Sequence, residues 1–217
     1  MPVKVGLQVI KAWHNDNLEA SVRRYEQEVC EKGQIVFYGP SNFTRWKREK
    51  WGNTPLSEVL LGKSGKQCCI NRGFGSSCTE HHLYYYSRLV RPLEPKVLVY
   101  SPGLGNGTTF GYTTHELWEL GQRVIDYAKA DFPELRIYVL GLAAHTIAAS
   151  EAAKEYNTWI RSYCEMHPDV YYVNVAGCKE LDDPEIYLPD HVHYTTEGYR
   201  RYGEFFKDVL KDELALY

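Results

Sequence analysis

Ile35-Val36-Phe37-Tyr38-Gly39-Pro40-Ser41-Asn42 sets the reading of the whole chain. Four β-branched or aromatic residues form a short apolar run that breaks into Gly-Pro. That is the pattern of a buried strand ending in a tight turn, with Ser41 left exposed at the strand's end. Four further runs of the same kind follow: Cys68 to Ile70, Val97 to Tyr100, Ile137 to Leu140 and Val170 to Val175. Segments of helical periodicity separate them, and the alternation predicts a parallel α/β sheet.

Leu117, Leu120, Val124 and Ala128 lie on one stripe of an expected helix, as do Leu18, Val22, Tyr25 and Val29 ahead of the first strand. Tyr199, Tyr202, Phe206, Val209 and Leu210 repeat the pattern near the end, with Thr195 or Thr196 as the cap. The 217 residues suit one domain or two small ones and bury roughly 70% of the surface the unfolded chain exposes. No linker-like stretch and no internal repeat divides the chain, so a single domain over 1–217 is expected. Residues of about 15–32 are read as a helix packed on it, with a partner-binding arm as the alternative. The acidic stretch Lys179 to Glu185 reads as a solvated loop.

Charged residues make up 24% of the chain and the net charge is −3, which leaves no basic face for nucleic acid. The apolar runs fall far short of the roughly 20 residues of a membrane span. The start, Met1-Pro2-Val3-Lys4-Val5-Gly6, lacks the long apolar region of a signal peptide, so a cytoplasmic protein is expected. Six cysteines (Cys30, Cys68, Cys69, Cys78, Cys164 and Cys178) lack metal-ligand spacing and are read as reduced and structural.

In an open parallel sheet, ligands bind at the carboxyl ends of the strands. The turns expected there are Gly39-Pro40-Ser41-Asn42, Asn71-Arg72-Gly73-Phe74-Gly75-Ser76-Ser77 and Ser101-Pro102-Gly103-Leu104-Gly105-Asn106-Gly107, joined after the fifth strand by Asp190-His191-Val192-His193. A carboxylate three residues from an imidazole can hold its tautomer and stabilise its cation, which a histidine serving as base to a serine requires. The glycine-rich turns offer backbone N–H groups to an oxyanion, and the Asn106 amide offers another donor.

These blocks resemble those of the SGNH hydrolases, also called GDSL-type esterases and lipases. Ile35 to Trp46 is similar to their nucleophile block, Asn71 to Ser77 to their second block and Asp190 to His193 to their last, over roughly residues 15–212. The resemblance implies a flavodoxin-like three-layer α/β/α sandwich on a five-stranded parallel sheet. It further implies Ser41 as nucleophile, His193 as general base and Asp190 as its orienting carboxylate, with the N–H groups of Ser41 and Ser76 and the side chain of Asn106 as the oxyanion hole. Three positions depart from the family pattern. Pro40 replaces the Asp of Gly-Asp-Ser, about two extra residues precede Asn106, and Gly107 stands where an Asp is usual. The Ser76 N–H survives replacement of the family's glycine provided the backbone angles suit a residue with a Cβ.

The function expected is a serine esterase or acylhydrolase that cleaves a short O-acyl group, acetyl included, from a small molecule or carbohydrate, with no cofactor. The rival is a non-catalytic or weakly active binding protein on the same fold with an altered oxyanion hole. His191 with His193 and Asp190 has too few neighbours of suitable spacing for zinc, so no metal is expected. Gly103 to Gly107 does not complete a dinucleotide fingerprint, and Gly62-Lys63-Ser64 lacks the first glycine of a phosphate loop. His81 and His82 are placed on the surface of a helix, and the 18 tyrosines are expected mostly half-buried with wet hydroxyls, Tyr84, Tyr85 and Tyr86 among them. His145, after the fourth strand, is the candidate substrate contact, and Ala143, Ala144, Ala148 and Ala149 around it leave room for either a pocket or a tight helix contact.

Overall fold

The computed structural model describes residues 17–143 and 151–217. Five strands, β1 (Ile35–Gly39), β2 (Cys69–Gly73), β3 (Val97–Tyr100), β4 (Arg136–Leu140) and β5 (Val170–Val173), form a wholly parallel sheet in the order β2-β1-β3-β4-β5. Each apolar run in the sequence therefore becomes a strand. The edge strand β2 runs further than its apolar residues, through Asn71, Arg72 and Gly73, which pair in register with Phe37, Tyr38 and Gly39. Their polar groups are satisfied where they stand. Asn71 donates to the Phe43 carbonyl at 2.7 Å and accepts from the Gly73 N–H at 2.8 Å. The Arg72 guanidinium pairs with Glu28 at 2.6 Å and lies over the Tyr25 ring. β5 stops at Val173, and Val175 is buried in the short 3-10 turn that follows.

Nine helices are described: α1 (Asn17–Glu26), α2 (Ser41–Thr44), α3 (Leu56–Val59), α4 (Thr79–Leu89), α5 (Leu104–Thr109), α6 (Thr114–Asp131), α7 (Glu151–Met166), α8 (Thr196–Val209) and α9 (Lys211–Leu214). Successive strand residues point to opposite faces of the sheet, and both faces are covered. Val36, Tyr38, Leu98, Tyr100, Ile137 and Val139 pack with Val22, Tyr85, Leu117, Val124, Tyr156 and Ile160 of α1, α4, α6 and α7. Ile35, Phe37, Val97, Val99, Leu140 and Val173 pack against Trp46, Tyr202, Phe206 and Leu210 on the other side. The result is the expected three-layer sandwich. Burial of each of these larger apolar side chains is worth about 1.5–3 kcal/mol.

The Thr195 hydroxyl accepts from the Gly198 N–H at 3.2 Å and is the cap of α8. Thr113 and Glu116 close a capping box on α6. α1 ends at Glu26, so Val29 is not on its stripe and is fully exposed, while Leu18 and Val22 are buried as expected. Arg88 of α4 grips Glu19 and Glu26 of α1 at 2.9 and 2.7 Å, and its hydrogen bonds hold the Glu19 carboxyl down at about 2. The Lys179 to Glu185 stretch is not a free loop. It folds into 3-10 turns that bury Leu181 and Ile186, and Asp183 pairs with Arg201 of α8 at 2.9 Å. No described helix is long and apolar enough to cross a membrane.

Candidate active site

β1 pairs with β2 on one side and β3 on the other, so the chain changes winding direction at its carboxyl end, where such sheets open a crevice. Ser41 stands there as the first residue of α2. The turn that carries it needs glycine at position 39, because a Cβ there would lie 2.8 Å from the Cβ of Ser101 after β3. Gly73 is needed for a similar reason: a Cβ would meet the Thr44 nitrogen of α2 at 2.6 Å. Two glycines thus let the Ser41 helix sit down on the ends of β1, β2 and β3.

The segment between β5 and α8 brings Asp190 and His193 to the same place. The ring nitrogens of His193 lie 2.7 Å from the Ser41 hydroxyl (Nε2) and 2.7 Å from Asp190 Oδ2 (Nδ1). Asp190 accepts only, so Nδ1 carries the hydrogen and Nε2 presents a lone pair to the Ser41 hydroxyl. The other carboxylate oxygen, Oδ1, accepts from the backbone N–H groups of Val192 at 3.0 Å and His193 at 2.9 Å. The turn is closed by the His191 N–H on the Leu188 carbonyl and the Leu188 N–H on the His193 carbonyl, with His191 in the left-handed region at φ +53°.

Burial alone would raise the Asp190 carboxyl, but hydrogen bonds from the His193 N–H and ring and from Val192 outweigh it and hold the group at about 2. For His193 burial lowers the imidazole below its usual value and the positive charge of Arg45 adds to that, against the opposing pull of Asp190. The ring is therefore neutral at pH 7 and available as a base.

The loop after β2 lies against Ser41: a Cβ on Gly75 would be 3.9 Å from that of Ser41. Ser76 is exposed and adopts φ +63°, the left-handed region that glycine enters freely and serine at a cost of roughly 1 kcal/mol. Asn106 sits in α5, where its amide donates to the Ser77 carbonyl at 2.8 Å. An amide nitrogen has two hydrogens, so a second donor remains. His145, with Ala144, Ala148 and Ala149, lies outside the described residues.

Behind this loop is a second serine–histidine contact. His81 and His82 are not on the surface but fully buried. The Ser77 hydroxyl donates to the Phe74 carbonyl at 2.6 Å and so accepts from His82 Nε2 at 2.8 Å, while the Tyr100 hydroxyl lies 3.4 Å from His82 Nδ1. Tyr38 donates to the His82 carbonyl at 2.6 Å. Tyr85 and Tyr86 of the same helix are buried too, and Tyr84 is exposed. The spacing of His82, Tyr85, Tyr86 and Leu89 is that of a core-facing helical stripe, the signal by which the buried histidine is recognisable in sequence. The network is enclosed and joins the loop after β2 to α4, β1 and β3. A cavity of about 650 Å³ runs along β2, bordered by Tyr25, Glu28, Lys47, Cys68 and Cys69, and neither Ser41, Asp190 nor His193 lines it.

Among solved structures, the chain resembles a GDSL-like lipase from Bacteroides thetaiotaomicron, with a TM-score of 0.67 and 18% identity over 89% of this chain and 98% of that one. The family 3 carbohydrate esterase of Clostridium thermocellum aligns with a TM-score of 0.61 and 16% identity over 85% and 98%. AlinE4, an SGNH-hydrolase family esterase, aligns with a TM-score of 0.59 and 19% identity over 86% and 99%. No family model and no curated protein matches the sequence. The architecture is the SGNH-hydrolase fold that the sequence blocks imply.

Proposed function

We propose that the chain is a serine esterase, an acylhydrolase that removes a short O-acyl group from a small molecule or carbohydrate through an acyl-enzyme. One observation carries this reading: the unbroken row Ser41–His193–Asp190, with both contacts to the imidazole at 2.7 Å. The SGNH-hydrolase fold, which the esterases above share, supports it.

In the proposed reaction His193 Nε2 takes the Ser41 proton as the oxygen attacks the ester carbonyl. Asp190 stabilises the imidazolium that results, and His193 returns the proton to the leaving alcohol. Water, activated by the same ring, then attacks the acyl-serine and releases the acid. The backbone N–H groups of Ser41 and Ser76 and the Asn106 amide are the proposed donors to the oxyanion, each worth roughly 2.7–4 kcal/mol in the transition state.

Labelling with a fluorophosphonate tests the reading. The wild type should gain one adduct on Ser41 and the folded S41A variant none, and a panel of p-nitrophenyl esters should be turned over by the wild type alone. A folded wild type that neither labels nor turns over would instead identify a binding protein on this fold.

A further inference from the structure

Arg45 ends the turn of helix that Ser41 begins, its N–H bonded to the Ser41 carbonyl at 2.9 Å. Residues four apart share a helix face, which places Arg45 on the side of α2 that carries Ser41. The guanidinium forms no ion pair among the described residues. It lies 4.4 Å from the centre of the Trp51 ring, and Lys50 lies 5.0 Å from the same ring. The segment that follows Ser41 therefore holds two cations against one indole, and among the described residues the arginine is committed to no carboxylate.

A cation in that position works against the chemistry proposed above. It disfavours the imidazolium that His193 must become, adding to the larger lowering that burial imposes on the ring. An ester bearing its own negative charge would cancel that penalty on binding, and a planar guanidinium suits an oxyacid anion. We infer that Arg45, backed by Trp51 and Lys50, is the binding site for an anionic oxyacid group, a carboxylate or its equivalent, carried by the ester substrate.

The inference rests on the esterase reading for its substrate but not for its binding chemistry, and the experiment separates the two. Two matched pairs differ in charge alone: 4-acetoxybenzoate against 4-acetoxybenzamide, with the anion on the leaving group, and monoethyl glutarate against its carboxamide, with the anion on the acyl side. In the wild type one anionic ester should exceed its amide partner in kcat/KM by about tenfold, as expected for a charge-assisted contact. R45Q should collapse that ratio towards one, and R45K should retain part of it. Any change in His193 basicity cancels within each ratio. The wild-type preference should also shrink as salt is raised from 0.02 to 0.5 M, a readout that needs no variant.

In parallel, calorimetry on S41A should show tighter binding of the anionic ester than of its amide, lost in S41A/R45Q. Hydrolysis of all four esters with charge ratios indifferent to Arg45 and to salt overturns the anion site and leaves the esterase standing. No hydrolysis, with Arg45-dependent binding of the anion by S41A, overturns the esterase and leaves the anion site standing. Binding equal for anion and amide in S41A, with no hydrolysis, removes both.

Discussion

The Tyr199 hydroxyl donates a 2.8 Å hydrogen bond to the main-chain carbonyl of Asn42, so the helix that follows His193 is fastened to the residue that follows Ser41. Tyr199 also packs its ring against Trp46, at 5.9 Å between centroids, and against Tyr194 at 5.7 Å. Ser41 and His193 come from distant parts of the chain, and this contact ties together the two segments that carry them. Y199F leaves the packing and removes the bond. It should cost about 1 kcal/mol in urea denaturation, lower kcat several-fold and leave KM nearly unchanged. A kcat equal to wild type would show that the alignment does not depend on it.

Asp190 is expected to act by holding the His193 tautomer, since its two oxygens grip the ring and two backbone N–H groups together. D190N offers an amide to the ring, favours the wrong tautomer and should reduce kcat by about 10⁴-fold, as in other serine–histidine–aspartate sites. Steady-state kinetics at pH 7 measures this, with circular dichroism to confirm the fold.

His193 must be neutral to accept a proton, and burial followed by Arg45 lowers its affinity for one. The rate kcat/KM on a neutral ester should therefore hold down to a pH below the ordinary histidine value of 6.5 and fall off on the acid side. Replacing Arg45 by Gln removes one of the lowering influences, and the acid limb should move to higher pH. A limb that moves the other way, or not at all, refutes the electrostatic account.

Ser76 is held at φ +63°. S76G should stabilise the protein by up to about 1 kcal/mol, with esterase activity retained because the backbone N–H is unchanged. S76P removes that N–H and conflicts with the positive φ, so it should lose both stability and kcat. Thermal unfolding and kinetics on the same preparations decide.

The buried pair in α4 governs acid stability. Burial lowers His81 to about 4 and pushes His82 well below its usual range. His81 Nδ1 accepts from the Cys78 N–H at 3.1 Å, a bond its protonated form cannot accept. Below pH 6.5 the unfolded chain takes up protons that the folded chain refuses. Stability is then complete above about 6.5 and declines towards pH 4, by roughly 3 kcal/mol for His81 alone. Urea midpoints at pH 7 and 4.5 measure this slope, and H82F should make it shallower while leaving the share of His81. The same substitution strips Ser77 of its histidine partner beneath Asn106, so kcat should fall with it.

Much of this was legible in the residues, for physical reasons. Runs such as Val97 to Tyr100 must be buried on both faces, and nothing but a covered parallel sheet accommodates several of them with helices between. The Asp190 to His193 interval and the Gly39-Pro40 turn pointed to the same rim. Asn71 and Arg72 read as a turn in sequence because their polarity hides a strand whose side chains find partners only in the fold, namely Phe43 and Glu28. His82 reads as surface for the same reason, its partners Ser77 and Tyr100 lying on other elements. The backbone angle at Ser76 depends on how the loop meets α2, and no local pattern announces it.

Ser41 and His193 meet although 152 positions separate them along the chain, and four of the five strands are threaded through that interval. A polypeptide emerging from the ribosome cannot bring the pair together until residue 193 has been made. The proposed covalent capture of Ser41 would thus double as a gauge of folding, and its loss in denaturant should coincide with the loss of helical ellipticity.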